Sequence, residues 1–71
     1  METGKDFRTC TECHKNYSIQ HYHLVGHAAD GSWHEGHISC VRPVIQPDAP
    51  QEVLDWDAAS IAYNKSRGYN G

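Results

Sequence analysis

Four residues in this chain have the types and spacing to hold one soft metal ion: Cys10 and Cys13 in Cys10-Thr11-Glu12-Cys13, and His37 and Cys40 in His37-Ile38-Ser39-Cys40. A Cys-x-x-Cys turn brings two thiolates to within about 2.3 Å of one ion, while the intervening backbone amides point at the sulfurs and stabilise their charge. The second pair completes a tetrahedron. Three sulfurs and one imidazole form a closed structural zinc site, with no position left for substrate. His34 is the rival for the fourth position, but the spacing from His37 to Cys40 mirrors that of the first pair.

Other chemistries of these residues fit less of the chain. Cys10-Thr11-Glu12-Cys13-His14 matches the c-type haem attachment pattern, which leaves Cys40 without a role. A redox pair of the thioredoxin kind needs a βαβ context that the sequence lacks. A disulfide framework leaves one of the three cysteines unpaired. Zn²⁺ is therefore the expected cofactor.

Composition gives the ion a purpose. The chain has 71 residues, 38% of them hydrophobic, and domains this small bury only about 60% of their unfolded surface. Structural zinc contributes on the order of 10–16 kcal/mol in finger peptides at neutral pH, enough to decide whether such a chain folds. The net charge of −3 and the six scattered Lys and Arg give no basic stripe, which argues against nucleic acid as a partner. No apolar run of membrane length and no export signal are read, so the expected compartment is cytoplasmic, where thiols stay available to metal.

The elements that must position the ligands follow from pattern. Residues 1–6 read as a flexible N-terminus and residues 7–41 as a knuckle and hairpin module. Phe7 and Tyr17 flank the first ligand pair and read as core aromatics. From Tyr17 to Ile38 the alternation of Tyr17, Ile19, His21, His23 and Val25 against Tyr22 and Leu24 predicts one long β-hairpin. Its turn falls at Ala29-Asp30-Gly31-Ser32, and its second strand, Trp33 to Ile38, returns His37 and Cys40 to the knuckle. Pro43 and Pro47 make residues 42–48 an extended linker.

Residues 49–67 are predicted as a helix packed on the module, with Asp48 as N-cap, Gln51 at capping-box spacing and Gly68 as C-terminal cap, followed by a tail over 68–71. Its apolar residues form two stripes. Leu54, Ala58, Ile61 and Ala62 would pack inward; Trp56, Ala59 and Tyr63, with Val53 at the edge, would remain for a partner protein or a second copy of the chain. Five histidines remain once His37 is assigned. His21 and His23, with His27 or His34, are the set from which a second metal site would come, although surface and packing roles are the ordinary case.

Two paired-ligand knuckles bridged by a hairpin resemble the zinc-ribbon and treble-clef families over Phe7 to Val41. That resemblance implies a small Cys3His zinc module over this stretch; with the helix predicted after it, the expected fold is a small α+β one of knuckle, hairpin and C-terminal helix. The segment His27-Ala28-Ala29-Asp30-Gly31 with His34, His37 and Cys40 is also faintly similar to HNH nucleases, which would make His27 a general base and His37 or His34 a catalytic-metal ligand. The chain lacks that motif's Asn, has no acidic residue directly before His27, and has Cys40 in place of a second cysteine pair. The expected function is therefore non-enzymatic, a zinc-stabilised adaptor or regulator that binds another protein through the acidic, aromatic helix.

Overall fold

The computed structural model describes residues 6–69, so the expectations for residues 1–5 and 70–71 lie outside the described residues. Two antiparallel hairpins precede two helices, an α+β arrangement: β1 (Phe7–Thr9), β2 (Asn16–Ser18), β3 (Leu24–His27), β4 (Trp33–Gly36), α1 (Ile38–Ile45) and α2 (Gln51–Ser66). β1 pairs with β2 in the register Phe7 with Ser18 and Thr9 with Asn16, and β3 pairs with β4 from Leu24 with Gly36 to His27 with Trp33. The turn falls where Asp30-Gly31 predicts it. Gly31 has φ of 90°, and its N–H donates to the Ala28 carbonyl at 2.9 Å.

The single long strand expected from Tyr17 to Val25 is instead two strands separated by a turn. Tyr17 belongs to β2 and pairs with Arg8, while Leu24 starts β3. Local side-chain bonding breaks the run: the Gln20 N–H donates to Ser18 Oγ at 3.2 Å, and His23 Nδ1 donates to the His21 carbonyl at 2.8 Å. Such bonds offer the backbone a turn in place of a ladder. The apparent alternation carries no common face, since Tyr17 is buried while Ile19 and Val25 are exposed.

The expected linker over 42–48 is also corrected, because α1 runs through Pro43 to Ile45. Ile38, Val41, Arg42 and Ile45 recur at helical spacing, and the first three are buried. Pro43 forfeits the bond to the Ser39 carbonyl, but both residues lie on the exposed side, where water can serve that oxygen. The gain from burying one apolar face outweighs the lost bond. The second strand correspondingly ends at Gly36, and Ile38 opens the helix.

Helix α2 begins later than expected. Pro50 occupies the N-cap position with no side-chain cap, and Gln51 donates to Asp55 rather than completing a capping box with Asp48. Its other end matches the expectation. Gly68 takes φ of 89°, the Tyr69 N–H reaches the Asn64 carbonyl at 2.9 Å and the Gly68 N–H reaches Lys65 at 3.0 Å, a Schellman motif.

The core is small. Leu24, Ile38 and Val41 are its buried members, with Cys40, Ile45 and Ile61 packed around them. Helix α2 reaches this core through Ile61 of the expected inward stripe and through a polar edge whose buried residues are Asp57 and Asn64. Asp57 accepts a paired bond from the buried Arg42 guanidinium of α1, with Nη2 to Oδ1 at 2.9 Å and Nε to Oδ2. Asn64 Nδ2 donates to the Tyr22 carbonyl at 3.0 Å. The stripe expected to pack inward is thus displaced: Ile61 is half-buried, while Leu54, Ala58 and Ala62 remain exposed. At about 100° per residue the inward edge lies between the two stripes.

Candidate metal centre

The two ligand pairs come from different kinds of local structure. Cys10 follows β1, and its N–H donates to the Lys15 carbonyl at 2.8 Å while its own carbonyl accepts from His14 at 3.0 Å. His14 takes a positive φ of 63° to close this knuckle. The second pair lies at the start of α1: His37 occupies the N-cap position, and the Cys40 and Val41 N–H groups donate to its carbonyl at 3.0 and 2.9 Å. Cys40 therefore sits in the first helical turn, where the helix dipole favours negative charge.

A staple from the knuckle to β4 brings the pairs together. The Thr11 N–H donates to the Glu35 carbonyl at 2.8 Å, and the Glu35 N–H donates to Thr11 Oγ1 at 3.1 Å. Arg8 adds a salt bridge to Glu35 at 3.0 Å, exposed on the Arg side and so worth little by itself. With Glu35 held in this way, Gly36 passes directly over Cys10. A Cβ at Gly36 would lie 2.3 Å from Cys10 Sγ and 2.8 Å from Cys10 Cα, and φ there is 145°. Only glycine combines that close approach with that backbone conformation.

The four predicted ligands converge. The sulfurs of Cys10, Cys13 and Cys40 and one ring nitrogen of His37 all lie within 4.8 Å of one another. Cys13 Sγ is 3.2 Å from His37 Nδ1. Ligand atoms around a tetrahedral zinc ion stand about 3.5–3.8 Å apart, by the usual bond lengths, so the group can hold a metal ion with small adjustments. Cys10 is fully buried and His37 nearly so.

The electrostatics suit a cation. Burial opposes ionisation of Cys10, but hydrogen bonds from the backbone at Cys13, Glu12 and His37 and from the His37 side chain outweigh it, lowering the thiol from 9.0 to about 6. Cys40 goes the other way: burial and then the neighbouring Cys10 and Cys13 sulfurs push its thiol up to about 11. Without a cation the cluster resists carrying three thiolates, and a divalent ion removes that repulsion.

The rival ligand is engaged elsewhere. His34 Nδ1 donates to Glu12 Oε2 at 2.6 Å, and that bond, followed by one from Thr11, holds the Glu12 carboxyl below its ordinary value. Ser32 Oγ lies 2.8 Å from His34 Nε2 and donates to Asp30 Oδ1 at 2.6 Å. His27 is exposed and packs edge-on against Trp33. His21 lies against Tyr69 and Tyr63, and His23 lies against Tyr17. Among the described residues, the Cys10 group is the one in which three or more metal-ligating side chains converge.

The proposed docking residues are on the far flank of α2, with Trp56 59% and Tyr63 56% exposed and Ala59 exposed between them. Phe7 is 37% exposed and faces Tyr69 rather than covering the knuckle, whereas Tyr17 packs edge-on to His37.

Sequence reasoning missed Gly36, Thr11 and Asn64. Gly36, directly before His37, carried the one available signal, a glycine where a strand hands over to a ligand. Asn64 carried no such signal; it is buried and bonded to the Tyr22 carbonyl. Comparison of the chain with protein-family models, with curated proteins and with solved structures gives no match in any of the three.

Proposed function

We propose that Cys10, Cys13, His37 and Cys40 bind one Zn²⁺ as a closed structural site, and that the module so stapled acts as an adaptor or regulator that binds another protein. The observation that carries the first half is the convergence of four soft ligand atoms within 4.8 Å, from two segments separated by a complete hairpin. Three thiolates and one imidazole favour zinc over hard cations such as Mg²⁺ or Ca²⁺. Delivery of the second pair by a helix N-terminus fits the treble-clef form of the resemblance better than the ribbon form.

The second half is supported by how α2 sits. Its seating uses a polar edge, which leaves Trp56, Ala59 and Tyr63 facing outward beside a concavity formed with Gln20, His21 and Tyr22. Exposed Trp and Tyr on one helix flank are the residue types that anchor protein interfaces. The metal fixes the knuckle against β4, β4 leads into α1, and Arg42 of α1 orients α2 through Asp57. Docking is then steric. Among the described residues no helix is long and apolar enough to cross a membrane.

Cobalt substitution tests the site: one equivalent of Co²⁺ should give thiolate charge-transfer and tetrahedral d–d bands, both displaced by Zn²⁺. Octahedral spectra or no binding would overturn the assignment. The docking face is tested with the paired variant Trp56→Ala and Tyr63→Ala, which should retain zinc and fold while losing self-association or partner binding.

A further inference from the structure

His37 and Asn64 are both buried, at 4% and 3% exposure. Each has one polar atom without a protein hydrogen-bond partner, Nε2 of His37 and Oδ1 of Asn64. Buried polar atoms left unpaired are costly and usually find water when the protein offers nothing else. Both residues line the same small cavity, which has about 10 Å³ open to the centre of a water molecule and is closed by Ser18, His21, Tyr22, His23, Tyr69 and Tyr17, whose buried hydroxyl is also without a protein partner. That is close to the room one water needs. His37 Nδ1 is the ring nitrogen beside Cys13, so Nε2 points away from the ligand cluster and carries the proton when Nδ1 binds metal.

We propose that one buried water accepts the His37 Nε2–H and donates to Asn64 Oδ1, making Asn64 a positioning residue for the metal. The inference rests on the zinc reading above and adds to it a defined outer shell. The roles are compatible: Asn64 Nδ2 donates to the Tyr22 carbonyl, and Oδ1, the amide atom without a protein partner, can only accept. Metal-bound imidazoles commonly donate their second N–H to such a partner, which fixes the ring orientation and the tautomer. The consequence reaches across the fold. Asn64 belongs to α2, so the helix that carries the proposed docking face is tied to the ion through two hydrogen bonds, and zinc affinity and helix docking become linked.

The test uses the zinc-loaded full chain. Long-range ¹H–¹⁵N correlation of the His37 ring should show a metallated Nδ1 and a protonated Nε2, with a slowly exchanging Hε2 and a cross-peak from it to a long-lived water. Asn64→Leu should lower zinc affinity about 10- to 100-fold, as expected for loss of an outer-shell partner, and should speed exchange of Hε2. Asn64→Asp keeps an acceptor oxygen but loses the bond to Tyr22, and it should return affinity toward the wild-type value. A merely structural role for Asn64 predicts the reverse, with both variants equally impaired, and that result overturns the proposal. So does a wild-type Hε2 with no water cross-peak, a result that needs no variant to fold. A wild-type chain that binds no zinc would overturn the metal assignment itself, whereas intact zinc binding with an unaffected Asn64→Leu overturns only the outer shell.

Discussion

Replacing Asp57 with alanine should release helix α2 from the rest of the molecule. Asp57 is 4% exposed and Arg42 8% exposed, and the guanidinium gives two donors to the carboxylate. The hydrogen bond to Asp57 raises the Arg42 pKa above an already high value, so Arg42 keeps its charge when Asp57 is removed. Removing one partner of a buried pair leaves the other as an uncompensated charge and costs about 3–5 kcal/mol. A domain of this size has roughly 4–10 kcal/mol of total stability. What else holds α2 is modest: the hydrogen bond from Asn64 to Tyr22, worth about 1 kcal/mol, the half-buried Ile61 and the contact of the partly exposed Tyr63 with His21. The loss is therefore concentrated in α2, and Arg42 can follow it into water. Hydrogen exchange of the zinc-loaded protein should show α2 amides losing protection while β3, β4 and α1 retain most of theirs. The double variant Arg42→Met and Asp57→Leu should recover most of the loss, because apolar packing of similar volume replaces a buried ion pair at little cost. If Asp57→Ala melts within about 1 kcal/mol of wild type, with α2 protection unchanged, the pair does not seat the helix.

Four further outcomes follow from the geometry. Gly36→Ala should reduce zinc affinity by at least about 100-fold in chelator competition, since its Cβ would meet Cys10 Sγ and backbone at an impossible distance; Gly31→Ala, at positive φ but in open space, should cost only about 1 kcal/mol and leave affinity intact. His37→Ala should abolish stoichiometric zinc binding while His34→Ala preserves it, because His34 is held by Glu12 and Ser32; equal loss in both would contradict the ligand assignment. Zinc affinity should rise with pH by about tenfold per unit or more between pH 7 and 9, because Cys40 keeps its proton up to about 11 in the free protein and must release it to the solvent on binding; Cys10, already lowered to about 6, adds to the slope mainly below that value. The paired alanine variant at Trp56 and Tyr63 should change stability by no more than about 0.5 kcal/mol per site while weakening partner binding by about 2 kcal/mol or more, read by thermal melting and by titration of the partner.

The ligand set was legible in the sequence because metal chemistry imposes residue type and spacing, and Cys10, Cys13, His37 and Cys40 do converge. The turn at Asp30-Gly31 and the Gly68 cap were equally readable, since a positive φ leaves a local mark. The rest was hidden for identifiable reasons. Tyr17 to Val25 imitates a strand, but Ser18, His21 and His23 bond locally and fold it into a turn. Pro43 obscured an amphipathic helix whose buried positions, Ile38, Val41 and Arg42, were otherwise regularly spaced. The inward edge of α2 is least legible, because Asp57 and Asn64 look like solvent-facing residues until Arg42 and the Tyr22 carbonyl are placed opposite them. Hydrophobic periodicity cannot find a face held by an ion pair and an amide.

On the proposed zinc reading, one ion joins two segments which the small core of Leu24, Ile38 and Val41 cannot hold together alone. Native mass spectrometry of the purified chain, paired with amide NMR before and after strong chelation, addresses it most directly. One zinc per chain, with dispersed signals that collapse when the metal is stripped and return when it is restored, is the predicted result. A metal-free mass accompanied by an equally sharp and dispersed spectrum would contradict it.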